Sequence, residues 1–210
     1  MSAPRRRARR RLAPEDRRQE LKAAGLGVFL TRGFRAAAIA DIVAEADAAQ
    51  GTFYLYYSSK TALFLELLDD FERAILTSFS ALDLEVVPVG DYGVERVEAL
   101  LAEAFRRFFE TCRQEKQLAQ LFFQESLFDQ DLKRRRQEIY ESFASLARRG
   151  LELGMQVGVL RPLDSTVVAH AIVGMVERVA VQWLLVDDVD ETERLVRELS
   201  RFGAFGIARR

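Results

Sequence analysis

GFRAAAIADIVAEADAAQGTFYLYYSSK, residues 33–60, is the stretch on which the fold turns. Ile39, Ile42, Val43 and Ala46 recur at helical spacing and predict a short helix with one apolar face. Asp47 and Ala48 predict a tight turn, where aspartate tolerates the left-handed conformation better than most residues. AAQGTFYLYY then predicts a third helix. Phe53 and Tyr57, four apart, pack inward, while Gln50, Thr52, Tyr54 and Tyr56 keep polar groups that reach outward. Gly51 removes a side chain where a DNA backbone comes close. Two short helices joined in this way suit the placing of the second in a major groove.

Upstream, Pro14 stands where a first helical residue needs no N–H, and Glu15 and Asp16 suit the positive end of a helix. Leu21, Ala24, Gly25, Val28 and Phe29 make one apolar face, and Gly33 is expected to stop that helix as a left-handed cap. Ala37 and Ala38 occupy the positions where a Ser or Thr would cap the next helix, a loss of about 1 kcal/mol and one phosphate contact. Residues 1–12 carry six arginines, among them Arg9, Arg10 and Arg11. Charge that dense predicts a disordered arm that settles on phosphates or in a narrow minor groove.

Charge is spread unevenly. Residues 1–60 carry twelve Lys and Arg against six Asp and Glu, a balance of +6, and the remaining 150 carry nineteen against twenty-six, or −7. Such asymmetry predicts a nucleic-acid-facing end on an acidic body. One cysteine, Cys112, cannot form an internal disulfide, which fits a reducing cytoplasm. No unbroken run of 18 apolar residues occurs, so neither a membrane span nor a secretory signal is expected.

G-F…I-x-x-I-V-x-x-A…Q-G-T-F-Y-x-Y-Y-x-S-K resembles the DNA-binding domain of TetR-type transcriptional repressors. The resemblance covers residues 15–65 and implies an all-α chain of about nine helices. An N-terminal three-helix helix-turn-helix domain would precede a larger helical domain that binds a ligand and dimerises. The expected divisions are a basic arm at 1–13, the DNA-binding domain at 14–58 and the effector-binding and dimerisation domain at 59–210. By matching position Gln50 touches bases, and Thr52, Tyr54, Tyr56 and Lys60 hold phosphates. Ala40 stands where many members carry a polar base reader, and it can still meet a thymine methyl. Chemistry supports these assignments separately, since glutamine bonds both N6 and N7 of adenine and tyrosine hydroxyls favour phosphate oxygens.

Beyond Ser58 or Ser59 as cap, Leu63, Leu67, Phe71, Ile75 and Phe79 predict a long helix continuing to about Leu82, a stiff link into the body. Pro88 and Gly90 signal a loop. Six of the fifteen phenylalanines fall between 105 and 128, a density that reads either as a Phe-rich core or as an aromatic-walled pocket. Taken as a pocket, the lining residues are Phe105, Phe108, Phe109, Cys112, Phe122, Met155 and Met175, and the ligand is a small apolar effector. Asp131 is expected to open the following helix.

STVVAHAIVGMVERVAVQWLLV, capped by Asp164 or Ser165, is apolar nearly all round, so a partner chain is expected on its second side. Asp190 with Glu193 resembles a capping box for the last helix. Two such helices from each subunit make a four-helix bundle on a two-fold axis, with His170, Val173, Glu177, Trp183, Leu195 and Phe202 as interface residues. A lone histidine and a lone cysteine far apart offer neither a metal site nor a nucleophile pair, and no cofactor or enzyme activity is expected. The expected partners are double-stranded DNA, a second copy of the chain and the apolar effector. The alternatives are an enzyme acting inside the Phe-lined cavity, and a helical adaptor or small-molecule-binding protein that keeps a vestigial DNA module.

Overall fold

A proline that needs no N–H and two acids at the positive dipole end start α1 at Pro14, and it runs to Ala36. Gly33 interrupts it with φ 74° and ψ 155°, a region open to glycine alone. The glycine stop is therefore not the left-handed cap expected: the chain makes one further turn, and the Ala37 N–H bonds Gly33 O at 3.1 Å. The computed structural model describes residues 13–80, 93–124 and 129–209. The arginine arm, the loop signals at Pro88 and Gly90, the helix end near Leu82 and Phe128 lie outside these.

The chain divides into two units, Met1–Phe64 and Leu65–Arg210. In the first, α1 packs with α2 (Ile39–Glu45) and α3 (Gln50–Tyr54). Its core is Leu21, Val28, Phe29, Ile42, Phe53, Leu63 and Phe64, each almost wholly buried. Phe64 stacks within 5.1 Å of both Phe29 and Phe34. Burying one such side chain contributes about 1.5–3 kcal/mol. A Cβ on Gly25 would stand 2.3 Å from Leu63 Cδ2, so the missing side chain is what lets α1 pass that close. Asp47 turns the chain at φ 43°, as its short polar side chain allows.

Residues Lys60–Phe79 form α4, which Ser59 caps by accepting the Ala62 N–H at 3.1 Å. In the second unit α5 (Val94–Gln114) lies along α9 (Thr192–Ile207), and α7 (Gln130–Gln156) along α8 (Ser165–Ala180). The short α6 (Lys116–Gln124) closes one end. Among the described residues the one β-type pairing is an antiparallel bridge between Leu160 and Ala208.

Three local expectations are corrected. Asp129, not Asp131, caps α7, accepting from the N–H groups of Asp131 and Leu132 at 2.9 and 3.2 Å. The α9 capping box does not form. Glu193 turns to Arg106 on α5 at 2.9 Å, a charge-assisted pair that takes it away from the helix start, and Asp190 meets Arg113 at 2.5 Å while accepting from the Thr192 hydroxyl at 3.2 Å. Lastly, α8 changes to a π turn over Val181–Val186 instead of running through as an α-helix. By length and composition Ser165–Val186 would qualify to cross a membrane, despite the lack of an unbroken apolar run. Its inward side is spent on the core: Ala169, Val176, Ala180, Leu184 and Leu185 are buried.

Candidate nucleic-acid interface and effector cavity

Ala38, which caps α2, has no side-chain oxygen to offer. Asp41 compensates from the third position, accepting the Ala38 N–H at 3.0 Å on Oδ2 and holding Arg32 at 2.9 Å on Oδ1. The remaining part of the cap is thus intact without a Ser or Thr. On α3, Phe53 is buried and stacks 5.6 Å from the buried Tyr57, with the Arg18 guanidinium 5.7 Å from the Tyr57 ring. That anchor leaves Gln50, Gly51 and Tyr54 exposed and Thr52 and Tyr56 half-buried. Ala40 is exposed on α2. Space beside Gly51 is open, so nothing within the chain demands a glycine there.

Lys60, expected on a phosphate, is turned toward its own chain. Its ammonium donates to Phe34 O and Ala37 O at 2.7 Å and to Arg35 O at 3.3 Å, and sits 4.7 Å from the Phe34 ring centre. Three donors meet three carbonyls at the end of α1, where a cation also suits the helix dipole. Lys60→Met is therefore expected to lower the stability of the first unit by about 1–3 kcal/mol in denaturant unfolding. The salt dependence of its binding to random duplex DNA should stay unchanged. A log–log slope smaller by about one would return Lys60 to the phosphates.

In the second unit a cavity of about 220 Å³ lies between α5, α7 and α8. Leu101, Ala104, Phe105 and Phe108 face it from α5, Phe143, Ala147 and Gly150 from α7, and Ile172, Val173 and Val176 from α8. Of the residues expected to line a pocket, Phe105 and Phe108 line this cavity. Phe109, Cys112 and Phe122 do not line it; they are fully buried where α5 meets α6, and burial pushes the Cys112 thiol far above the usual thiol range. Met155 packs instead on the core around Leu151 and Leu160, and Met175 lies off the lining face of α8.

Two polar side chains line this otherwise apolar wall. The Tyr140 hydroxyl donates to Glu177 Oε1 at 2.6 Å. Burial, then the bond to Glu177, raises the Tyr140 pKa, so the phenol stays a neutral donor. The sequence reading passed over Tyr140 and put Glu177 at a dimer interface. The available signal was a lone acid in the apolar run of α8, which belongs either at a pairing partner or at a site.

Of the residues expected at that interface, Val173 and Glu177 face the cavity and Leu195 is buried inside the subunit. A helix apolar all round gives no phase, and the packed structure resolves it. His170 is exposed, bonded to Thr166 O at 2.9 Å and 3.4 Å from Glu141 Oε1. Trp183 is half-buried in the π turn with Arg194 over its ring at 5.8 Å. Phe202 is 73% exposed, Phe205 63% and Val167 63%, all pointing away from the core.

The family of bacterial regulatory proteins, tetR family, matches residues 21–67, from the α1 core into α4. The chain is 30% identical over 172 residues to the uncharacterised HTH-type transcriptional regulator YdgC of Bacillus subtilis (strain 168), covering 81% of this chain and 82% of that protein. Among solved structures, the fatty acid degradation regulator FadR of Bacillus halodurans superposes with a TM-score of 0.75 at 20% identity, over 90% of this chain and 95% of that one. FadR of Bacillus subtilis in complex with stearoyl-CoA gives 0.73 at 18%, over 90% and 98%. The two solved regulators share the fold. The match with YdgC runs along most of both chains, and the family's own segment coincides with the helix-turn-helix. On that footing the chain belongs to the TetR family of helix-turn-helix transcriptional regulators, which bind DNA.

Proposed function

We propose that the protein is a dimeric repressor that reads its operator through Gln50 and releases it when a small apolar molecule fills the cavity of the second unit. Regulators of this family bind DNA and act as dimers. In this reading Gln50 contacts a base, Thr52, Tyr54 and Tyr56 hold phosphates, Gly51 admits the backbone and Ala40 meets a thymine methyl. Arg9, Arg10 and Arg11 add charge that is blind to sequence. The outward residues of α8 and α9, Val167, His170, Phe202 and Phe205 among them, meet the second copy.

The cavity is the observation that carries the release step. Space of about 220 Å³ walled by apolar side chains is costly to leave unfilled, and a molecule that fits it better in the non-binding state weakens the operator complex by linkage. A preference of about 3 kcal/mol corresponds to roughly 150-fold. This volume lies below the roughly 300–1,000 Å³ of drug-sized sites, which favours a compact body over the stearoyl-CoA held by the Bacillus subtilis FadR.

The test begins with an operator selected from random duplexes. Gln50→Ala is expected to relax preference at one base pair, by about 1–3 kcal/mol, while affinity for random DNA barely changes. Equal losses on both would remove Gln50 from base reading. Release is then checked by titrating small apolar molecules against the operator complex, and a saturating cavity binder that leaves operator affinity unaltered would overturn the repressor mechanism.

A further inference from the structure

An apolar cavity has no evident use for a carboxylate, yet Glu177 lines this one from the last turn of α8. Among the described residues the Tyr140 hydroxyl, 37 positions away on α7, donates to its Oε1 at 2.6 Å. A carboxylate offers about four acceptor positions, so one hydrogen bond leaves most of its capacity unspent. Tyr140 is spent as a donor and brings no positive charge. Arg136, whose charge bears on Tyr140, is not among the lining residues. A ligand carboxylate entering here would put two like charges together, one of which would have to take up a proton.

Resting on the cavity being the effector site, we propose that the effector is an organic amine: an apolar body in the Phe105, Phe108 and Phe143 wall, with an ammonium group on Glu177. Glu177 supplies the counter-charge and Tyr140 holds the carboxylate in place by its bond to Oε1. The volume sets the body. A cavity of roughly 150 Å³ takes a benzene, so about 220 Å³ takes a benzene ring with a short alkyl chain. Fatty acids and acyl thioesters carry the wrong charge or the wrong length.

Phenylbutylamine, phenylbutanol and phenylbutanoate share one body and differ only in the head group. Calorimetric titration of each into the full-length protein at neutral pH should give the amine the tightest binding, roughly ten- to hundredfold over the carboxylate, with the alcohol between. Glu177→Gln keeps the shape and an acceptor for Tyr140. It should bring the amine to within about threefold of the alcohol and improve the carboxylate. Should that variant not fold, Tyr140→Phe serves, since it leaves the acid and should keep the amine first. Equal binding of the three heads, an order unchanged by Glu177→Gln, or loss of the amine preference in Tyr140→Phe overturns the proposal and leaves the cavity reading standing. Refusal of all three overturns both, because a body cut to the cavity has then been rejected with every head.

Discussion

Phe202→Glu combined with Phe205→Glu is expected to leave a folded monomer that no longer holds its operator tightly. The inner face of α9 is spent within the subunit: Leu195, Val196, Ser200, Ala204 and Ile207 are buried. Phe202 and Phe205 lie on the other side, 73% and 63% exposed. Two phenylalanines one turn apart in water are poor value for a solitary chain, since each can bury some 150–250 Å² against a partner. Because they touch little at home, replacing them changes monomer stability by only about ±0.5 kcal/mol, and glutamate keeps the helix propensity. At an interface the same changes strand a charge in an apolar contact. Two positions at about 2 kcal/mol each weaken the dimer roughly 10³-fold. Operator affinity falls with it, because a second half-site bound through the same dimer gains 10²- to 10⁴-fold from effective concentration, roughly speaking. Sedimentation at micromolar concentration and an operator titration read the two effects. A variant that stays dimeric would move the interface away from this face of α9.

The helix-turn-helix was legible because each of its signals is local. Apolar spacing in α1 and α2, Asp47 in the turn and Ser59 at the cap all act within a few residues of themselves, so pattern alone reaches them. Even there a distant partner stays hidden from pattern. Lys60 looks like any exposed lysine until Phe34, Arg35 and Ala37 present their carbonyls from 23–26 residues back. The same holds for α9. Asp190 and Glu193 satisfy a capping pattern, but Arg113 and Arg106 lie beside them only after α5 packs along α9.

The cavity divides along the same line. Phe105 and Phe108 were found because a helical stripe fixes one face of α5. Phe109 and Cys112 continue that stripe in sequence, but α6 covers the end of the helix and turns them into core. On α8 periodicity is silent, because apolar residues occupy every side. Glu177 was counted there among the interface residues, although its partner Tyr140 lies on α7 and both line the cavity. Charge inside an apolar run marks a position as special without saying which way it faces.

Phe71→Ala is expected to be the most damaging single truncation in the second unit. Phe71 is fully buried, with ring centres 5.0 Å from Phe122, 5.7 Å from Phe123 and 6.4 Å from Phe143. Each such pair adds about 0.5–1.5 kcal/mol beyond area burial. A smaller residue leaves a void that its neighbours cannot fill: Phe122 is itself packed on Phe123 and Tyr140, so moving it breaks other stacks. The cost is therefore the full range for a buried phenylalanine, about 3–5 kcal/mol, or a fall of about 10 °C in Tm. Trp183, the single tryptophan, lies in this unit and reports its unfolding. Phe71→Leu keeps most of the volume and should recover more than half of the loss. Phe123 and Phe143 also line the cavity of this unit, so the void made at Phe71 opens beside it. Phe71→Ala should consequently bind bodies larger than phenylbutylamine better than the parent protein does, and that binding should restore part of the lost Tm. A truncation that costs under about 1 kcal/mol would mean that the aromatic cluster repacks, and the cavity wall would then be soft rather than fixed.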